Sequence, residues 1–289
     1  MRLFLWMSLL LLPVLFGCGS SDDEVSEDDT VLGGDSAIGD VDPNAVAPVS
    51  YLGWKPEVTT TWQWQLLGDV NTEYDVDVYD IDLFDVPQST IDQLHADGRK
   101  VMCYFSGGSF EEWREDAGDF PEAALGKDLD GWEGERWLDV RSAGLREVMA
   151  ARLDLAVSRR CDGVEPDNMD GYTNDSGFDL TGDDQLAYNR WLANAAHERG
   201  LFVALKNDVD QISELEPYFD LQVNEQCHEF DECDLLAPFI NAGKPVFNAE
   251  YRERYVDDSS DLCDQAEAEQ IRVLVLPLDL DDAFRITCE

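Results

Sequence analysis

The chain has 289 residues, and its 63 acidic side chains outnumber its 20 Lys and Arg side chains, for a formal net charge of −43. This excess of negative charge excludes nucleic acids and anionic membrane surfaces as partners and favours a polycationic one. A role in solubility alone, or in tolerance of a saline habitat, explains the same charge equally well.

The first 17 residues are typical of an export signal. Arg2 precedes an apolar run, Leu3 to Phe16, that is short for a transmembrane helix. The sequence "LFGC" at residues 15–18 resembles a bacterial lipoprotein box, which predicts cleavage before Cys18 and lipid attachment to its thiol. The protein is therefore expected at the cell surface or the outer membrane as a lipoprotein, in contact with the membrane only through this lipid, or alternatively as a secreted protein.

Residues 18–47 follow the signal and differ sharply in composition from the rest of the chain. They are rich in Ser, Gly and Asp and poor in large apolar side chains, so they predict a disordered acidic linker. Residues 48–289 then predict one large catalytic domain, because barrels commonly reach this size.

Eight short apolar runs recur along this domain, separated by helical or loop segments. Clear helix patterns cover residues 142–159 and 184–199, with Thr181 as a nearby cap and Gly200 at the end of the second. Alternating strands and helices predict a parallel sheet, and eight repeats predict an α/β protein with a single (β/α)8 TIM barrel. The runs span 61–66, 75–84, 100–107, 162–168, 201–207, 219–226, 244–251 and 271–279.

Polar side chains gather where these runs end. In a barrel, the C-terminal ends of the strands form the rim on which active sites are built. This one-sided polarity therefore predicts a functional site. The residues concerned are Asp82, Ser106, Asp167, Asn168, Lys206, Asn207, Glu225, Glu250 and Asp279.

Two of these acids suit glycoside hydrolysis, which needs a nucleophile or base and a proton donor on either side of the scissile bond. Asp167 ends the fourth run and Glu225 ends the sixth, two strands away. Period-two alternation directs Glu165 the same way as Asp167, one step deeper, either in a direct role or as a buried structural acid. The predicted catalytic pair is Asp167 and Glu225.

Other rim residues are candidates for substrate contacts. Aromatic rings at or near the rim could stack on sugar faces, although each such ring is more often core or barrel packing; they are Trp62, Trp64, Tyr104, Tyr172 and Tyr251. Lys206 is a rare base at the rim, and it either sets the ionisation of an acid or binds substrate. The predicted substrate-binding residues are Trp64, Asp82, Tyr104, Glu165, Asn168, Asp170, Tyr172, Lys206, Asn207 and Glu250.

Six cysteines remain besides Cys18, and an even number in an exported chain predicts disulfides. Cys227 and Cys233 form the first pair, because five intervening residues make a short closable loop. The pairs Cys263–Cys288 and Cys103–Cys161 then follow by elimination.

No metal or cofactor is predicted. The chain has no CxxC motif, its three histidines are scattered, and it lacks the GxSxG, GxGxxG and P-loop motifs. The stretch "DNMDG" fails as an EF-hand loop, because Pro166 would occupy the first ligand position. A looser calcium site that uses Asp167, Asp170 or Asp175 stays open as an alternative.

Several motifs occur in the order seen in a known family. They are "YDIDLFD", "GRKVMCYFSGGSFEEWR", "WEGERWLDVR", "GVEPDNMDGY", "SGFDLT", "YNRWLANAAHERGL", "LKN", "NEQC" and "KPVFNAEY". Together they resemble glycoside hydrolase family 114, the endo-α-1,4-polygalactosaminidases of (β/α)8 fold, over nearly all of residues 50–280.

This resemblance implies cleavage of α-1,4-linked galactosamine polymers with retention of configuration. It implies Asp167, in the PDN motif, as the nucleophile and Glu225, in the NEQ motif, as the acid/base. The expected partner is then a polysaccharide made cationic by partial deacetylation, for which an acidic cleft is suited. A surface enzyme of this kind would trim the exopolysaccharide of a biofilm.

Two other functions are compatible with the same residues. One is a non-catalytic sugar-binding lipoprotein that keeps the barrel, although the presence of both Asp167 and Glu225 argues against it. The other is a glycosidase or deacetylase of different specificity, because related barrels support several chemistries.

Overall fold

A computed structural model describes residues 46–288. The predicted export signal, Cys18 and residues 18–45 of the predicted linker lie outside the described residues. Ala47 was assigned to the linker, but its main-chain oxygen accepts a hydrogen bond from Asn194 at 3.0 Å. The packed part of the chain therefore includes at least the last residues before position 48.

A curled nine-stranded sheet forms the centre of the fold. Its order is β1-β2-β3-β7-β8-β9-β10-β11-β12; the first eight strands are parallel, and β12 is antiparallel to β11. This is the strand order of a TIM-like barrel. In chain order the strands are β1 (Trp62–Gln65), β2 (Val78–Asp82), β3 (Lys100–Ser106), β4 (Ser109–Glu111), β5 (Leu125–Asp128), β6 (Glu135–Leu138), β7 (Gly163–Asp167), β8 (Phe202–Lys206), β9 (Leu221–Glu225), β10 (Val246–Glu250), β11 (Arg272–Val275) and β12 (Ile286–Thr287).

A small antiparallel sheet, in the order β4-β6-β5, is inserted between β3 and the helix that follows it. The α-helices are α1 (Gln88–Ala96), α2 (Ala143–Ser158), α3 (Gly182–Glu198), α4 (Ile212–Leu215), α5 (Cys227–Phe230), α6 (Ala237–Asn241), α7 (Glu253–Asp257) and α8 (Ser260–Glu269). Within residues 46–288, none of these helices is both long enough and apolar enough to span a bilayer.

The two longest helices have clear sequence causes. Ser142 caps α2 through its hydroxyl, which accepts from the N–H of Leu145 at 3.3 Å. Thr181 and Asp184 form a reciprocal capping box at the start of α3. Gly200, just beyond α3, has φ of +79°, a left-handed conformation that favours glycine and ends the helix.

Alternation along the strands separates two cores. Residues such as Val101, Val203 and Val273 face the helices, whereas Phe202 and Phe247 face the interior of the curled sheet. Both sets are fully buried, so each strand reads as an almost continuous apolar run. The interior face is the one that leads to the polar rim.

The first and last parallel strands, β1 and β11, share no backbone ladder in the described residues. The seam is bridged by the main-chain N–H groups of Leu66 and Leu67, which donate to the oxygen of Leu280, and by side chains. The indole N–H of Trp62 donates to the main-chain oxygen of Arg272 at 3.1 Å. Arg285, just before β12, donates to the main-chain oxygen of Trp62 at 2.9 Å and to Oε1 of Gln63 at 2.8 Å.

Candidate active site

Three charged side chains end three adjacent strands at the C-terminal edge of the sheet. Asp167 is the last residue of β7, Lys206 of β8 and Glu225 of β9. Alternation directs all three inward, because Ala204 and Val223, on the same faces of β8 and β9, lie in the interior core. The fold therefore brings both predicted catalytic acids to one place.

The ammonium group of Lys206 lies between the two acids. Its Nζ is 2.9 Å from Oδ1 of Asp167 and 2.8 Å from Oε2 of Glu225, and it lies 5.2 Å from the centroid of the Trp64 ring. Burial would lower the pKa of Lys206, but the neighbouring carboxylates, Asp167 first, raise it well above its usual value. The lysine therefore remains charged and neutralises much of the negative charge beside it.

Two further groups hold the carboxylate of Asp167. The hydroxyl of Tyr104 donates to Oδ2 at 2.9 Å, and the main-chain N–H of Asn168 donates to Oδ1 at 2.7 Å. Burial would raise the pKa of Asp167, but Lys206, through charge and hydrogen bond, outweighs it with help from Asn168 and Tyr104, and the pKa is lowered. Asp167 is thus ionised at neutral pH, as a carboxylate nucleophile must be.

The turn after Asp167 is shaped by close backbone packing. Asn168 is left-handed, with φ of 59°, and its amide nitrogen donates to the hydroxyl of Ser106 at 3.0 Å. Gly108 passes so close that a Cβ there would lie 1.7 Å from the main-chain oxygen of Asn168. Only glycine fits at position 108, and this contact fixes the turn that carries Asp167 into the site.

Glu225 is oriented by Tyr251 and Asn207. The hydroxyl of Tyr251 donates a short hydrogen bond to Oε1 of Glu225. The N–H of Glu225 donates to Oδ1 of Asn207 at 3.0 Å. Burial, and then the charge of Glu225, raise the pKa of Tyr251 well above its usual value, so this hydroxyl keeps its proton. From the sequence, Tyr251 was expected to stack on a sugar or to pack in the barrel, and its contact with Glu225 was not predicted.

A buried carboxyl pair lies beneath the site. Asp80 on β2 and Glu165 on β7 are both fully buried, and among the described residues no N–H or hydroxyl donates to any of their four oxygens. Burial raises the pKa of Asp80 to about 7, and burial followed by Asp80 raises that of Glu165 well above its usual value. The contact between the two groups therefore requires a shared proton.

Asp80 was not singled out from the sequence. It precedes Asp82 by two residues in the run "VYDID" and so shares its inward face. That periodicity is the signal that identifies it.

A cleft of about 410 Å³ opens over the acid pair. Trp113 and Trp132, which are 52% and 55% exposed, line it but were not predicted from the sequence. Both belong to the small inserted sheet and its connections. The periodicity of the strand patterns does not predict how this sheet packs against the rim. Besides Asp167 and Glu225, the predicted residues that line this cleft are Trp64, Asp82, Tyr104, Asn168, Asp170, Lys206, Asn207 and Asp279.

Asp82 lines the cleft but is already engaged. Arg114 donates to its Oδ2 at 2.7 Å and to its Oδ1 at 3.1 Å, and the N–H groups of Phe84 and Asp85 donate to Oδ1. The side chain of Asp82 is 4% exposed. Its geometry favours support of the inserted sheet rather than direct contact with a ligand.

Several other predicted residues do not line the cleft. Ser106 is fully buried, Glu165 is one layer below the cleft, and Tyr172 lines a neighbouring groove. Trp62 is fully buried in the interior core, not at the rim. Glu250 is fully buried and accepts hydrogen bonds from the N–H of His228 and the amide of Asn248, because alternation on β10 directs it toward the helices.

The three disulfides join the predicted partners: Cys103–Cys161, Cys227–Cys233 and Cys263–Cys288. Within residues 46–288, the one group of side chains with metal-binding spacing is Cys227, His228 and Cys233. Both of its thiols are consumed in a disulfide, so the group offers no thiolate to a metal.

Comparisons with known proteins agree on one class. The sequence profile of glycoside-hydrolase family GH114 matches residues 43–289. The crystal structure of Aspergillus fumigatus Ega3 in complex with galactosamine is 42% identical, covers 83% of this chain and 99% of its own, and superposes with a TM-score of 0.79.

A second solved structure is similar in fold alone. The glycoside hydrolase domain of PelA from Pseudomonas aeruginosa is 13% identical, covers 78% of this chain and 98% of its own, and has a TM-score of 0.64. No curated protein matches the chain significantly.

Proposed function

Because the chain belongs to glycoside-hydrolase family GH114 and is a glycoside hydrolase, we propose that it is an endo-acting enzyme that cleaves α-1,4-linked, galactosamine-containing exopolysaccharide with retention of configuration. Asp167 is the nucleophile and Glu225 the general acid/base. We propose that the curled sheet and its surrounding helices form a (β/α)8 barrel, with the acids at its rim. The alternative of a non-catalytic sugar-binding protein makes the opposite prediction in the experiment below.

One observation supports the retaining geometry above all others. A single Nζ atom contacts both carboxylates, at 2.9 and 2.8 Å. The two oxygens concerned can be no farther apart than the sum of these distances, which is less than the roughly 6.5 Å at which the range of inverting enzymes begins. A separation of this size favours the retaining geometry over the inverting one.

The geometry supports a double displacement. Glu225 protonates the glycosidic oxygen as the bond to the anomeric carbon breaks, and Oδ of Asp167 forms a covalent bond to that carbon. Glu225, now a carboxylate, then removes a proton from water, and the water oxygen displaces Asp167. Tyr251 and Asn207 hold Glu225 in place through both steps, because each hydrogen bond joins it to a fixed element of the rim.

The substrate assignment is supported by charge and by similarity. The relative at 42% identity is bound to galactosamine, and the chain has a net charge of −43, which attracts a polymer with free amines. We further propose export to the cell surface, with a lipid on Cys18 and residues 18–45 as a tether, or secretion if the lipid is absent. In that position the enzyme would act on a biofilm matrix.

The test uses purified protein with fully acetylated and deacetylated α-1,4-galactosamine polymers. We expect wild type to release oligosaccharides whose new reducing ends are first formed in the α configuration, as observed by NMR. Asp167→Asn and Glu225→Gln should each lower kcat by about a hundredfold or more. Glu147→Gln, a charge loss on the exposed face of α2, serves as the matched control.

Three results would contradict the proposal. The absence of product from either polymer would exclude the substrate class and favour the non-catalytic alternative. Initial β products would exclude retention. Full activity in Asp167→Asn would exclude the assigned nucleophile.

A further inference from the structure

A cluster of sulfur and nitrogen atoms follows directly after the strand that carries Glu225. Cys227 begins α5 two residues after Glu225, His228 is the next residue, and Cys233 forms the disulfide with Cys227. None of the three residues lines the cleft. Their possible ligand atoms all lie within 4.8 Å of one another, a spacing that suits a metal ion.

The ring of His228 is buried, yet neither of its nitrogens has a strong hydrogen-bond partner among residues 46–288. The side chain is 2% exposed. Its Nδ1 lies 2.7 Å from Sγ of Cys233 and 3.5 Å from Sγ of Cys227, and sulfur is a weak acceptor. Its Nε2 has no hydrogen-bond partner within the described part of the chain. Buried polar atoms are nearly always satisfied, so this ring calls for a ligand that the oxidised protein does not supply.

Glu269 on α8 lies on the other side of the ring. Its Oε2 is 3.6 Å from Nε2 of His228, and its side chain is 45% exposed, so a small rotation brings it within hydrogen-bond range. A metal-bound histidine commonly donates its second ring N–H to a carboxylate, which fixes the ring and strengthens the ligand nitrogen. The position of Glu269 therefore fits a His228 that binds a metal through Nδ1.

The distances suit a tetrahedral ion once the disulfide is open. Bonds of about 2.3 Å to sulfur and about 2.0–2.1 Å to nitrogen place these two atoms about 3.5 Å apart. Nδ1 of His228 is already 3.5 Å from Sγ of Cys227. The sulfur of Cys233 must withdraw until it is about 3.8 Å from that of Cys227. Cys233 is half-buried whereas Cys227 is fully buried, so Cys233 is the partner that can move.

The backbone around the cluster is held independently of the disulfide. The N–H of His228 donates to Oε1 of Glu250 at 2.9 Å, and the N–H of Glu232 donates to the main-chain oxygen of Cys227 at 2.9 Å. Neither bond involves a sulfur atom. Reduction therefore leaves the ligands close to one another, and ligands held in place in this way bind more tightly.

Of the three disulfides, Cys227–Cys233 combines access with a neighbouring ligand. The sulfurs of Cys103–Cys161 are buried, with residues 0% and 7% exposed. Cys263–Cys288 is half-buried, but among the described residues it belongs to no group with metal-binding spacing. A small thiol that reaches Cys233 therefore opens the disulfide whose sulfurs have a histidine beside them.

The reduction balances with two small thiols. The thiolate of the first bonds to Sγ of Cys233, the bond between the two protein sulfurs breaks, and its electron pair goes to Sγ of Cys227. The thiolate of the second bonds to the sulfur of the first and displaces Sγ of Cys233. Two thiols thus become one small disulfide, and their protons pass to the two cysteines. Metal binding releases these protons, because the thiolate is the ligand.

We propose that reduction by a small thiol converts Cys227, His228 and Cys233 into a binding site for one soft divalent metal ion of the zinc type. The two thiolates and Nδ1 of His228 bind the ion, water takes the fourth position, and Glu269 supports the histidine. Thiolate ligands favour zinc over magnesium and calcium. The bound ion then closes the segment after Glu225 in place of the disulfide.

The test uses Co²⁺ as a spectroscopic substitute for zinc. Purified protein is reduced with dithiothreitol, separated from it by gel filtration without oxygen, and titrated with cobalt chloride. We expect one Co²⁺ per chain, with thiolate-to-cobalt charge-transfer absorption and the visible bands of a tetrahedral site, and displacement by an equal amount of zinc chloride. Unreduced protein should show no such absorption.

Two double variants identify the sulfur ligands. Cys227→Ser/Cys233→Ser should lose the absorption after reduction. Cys263→Ser/Cys288→Ser, the matched control, should keep it. Zinc should also raise the Tm of reduced wild type, because it binds the folded state, and should leave that of Cys227→Ser/Cys233→Ser unchanged.

A single surface variant tests the support of the histidine with no risk to folding. Glu269→Gln should weaken Co²⁺ binding by about tenfold to a hundredfold, as the loss of a supporting carboxylate does. Glu267→Gln, an exposed acid on the same helix, is the matched control and should bind as wild type does.

Three results would overturn the inference. They are a reduced wild type that binds no Co²⁺, equal binding in Cys227→Ser/Cys233→Ser, and a Cys227–Cys233 bond that stays closed in millimolar thiol, as shown by mass spectrometry of alkylated peptides. No polysaccharide enters these measurements, so their outcome is independent of the function proposed above.

Discussion

At the scale of single residues, one buried ammonium group, that of Lys206, contacts both carboxyl groups of the site, Asp167 and Glu225. It lowers the pKa of Asp167 through its charge and its hydrogen bond. Asp167 thus stays ionised in a buried place where burial alone would protonate it. The loss of activity on the acid side of the pH profile should therefore depend on Lys206.

Replacement of Lys206 by Met should shift the acid side of the pH–activity profile. Without the ammonium, burial prevails and the pKa of Asp167 rises, so the acid must be deprotonated at a higher pH before it can attack. We expect the acid limb of the kcat/KM profile to shift to higher pH, with loss of activity at neutral pH. Lys127→Met, which removes an exposed pair with Asp175, is the control. An unmoved acid limb in Lys206→Met would refute the assigned role.

The pair Asp80–Glu165 should make stability depend on pH. The folded pKa of Asp80, about 7, lies above its usual value of 3.8, so the stabilising effect of the shared proton is complete below pH 4 and lost as pH rises through 7. Asp80→Asn supplies an amide donor at every pH. We expect its melting temperature, relative to wild type, to be higher by several degrees at pH 8.5 than at pH 5.5, from about 1–3 kcal/mol.

Asp75→Asn, an exposed acid on the segment before β2, is the matched control and should show no such trend. A pH-independent difference for Asp80→Asn would mean that the two carboxyls do not share a proton.

The sequence identified the charged residues of the site better than the orientation of each one. The inward orientation of three charged residues could be predicted from their position at strand ends, because inward and outward positions alternate regularly there. These residues are Asp167, Lys206 and Glu225. Glu250 also ends a strand, yet it faces the helices, since the phase of β10 differs and Tyr251 is the residue that faces inward. A one-residue difference in phase cannot be read from a run such as "VFNAE", in which polar and apolar positions do not separate.

At the scale of elements, the eight parallel strands lie within the eight predicted runs, because buried strands are continuous apolar segments bounded by polar residues. The helices of 142–159 and 184–199 were also found, with ends shifted by one or two residues. The inserted sheet β4-β6-β5 was missed, since its strands of three and four residues are mixed in polarity. Yet this insertion carries the exposed tryptophan Trp113.

Arg152 attaches the insertion to the barrel. Its guanidinium donates to both oxygens of Asp116, at 2.7 and 2.9 Å, and to the main-chain oxygen of Ser106 at 2.8 Å, while the side chain is 1% exposed. Arg152→Met should lower the free energy of unfolding by about 3–5 kcal/mol, because it leaves buried acceptors and a charge without a partner. Urea denaturation measures this.

The matched variant Arg141→Met removes a more exposed pair with Asp139 and should cost about 1 kcal/mol or less. Equal losses in the two variants would show that Arg152 does not anchor the insertion.

At the scale of the whole molecule, acids are distributed in two ways. At the starts of strands, Asp162 lies against Lys100 and His95, and Asp220 against Lys55 and His197. At the opposite rim, the groove that Tyr172 lines also contains Asp208, Asp210 and Glu232, and among the described residues no Lys or Arg lines it, so its negative charge is less compensated.

The negative potential of this groove should raise the rate at which the protein binds a cationic polymer. We expect kcat/KM on deacetylated polymer to fall severalfold as sodium chloride rises from about 20 mM to 0.5 M, because the screening length falls from about 20 Å to about 4 Å and shortens the reach of the field. The value on fully acetylated polymer should barely change. Identical salt dependence for the two polymers would show that the negative charge of the protein does not determine its choice of substrate.

The seam beside β1 also bears on how the chain is made. The partners of Trp62 lie 210 and 223 residues later, at Arg272 and Arg285. During synthesis, β1 therefore emerges with its outer side unprotected until nearly all of the remaining sheet has followed. An unprotected strand invites pairing with a second copy. The run of acids that precedes it in the sequence would keep nascent copies apart by mutual repulsion until the last strands arrive.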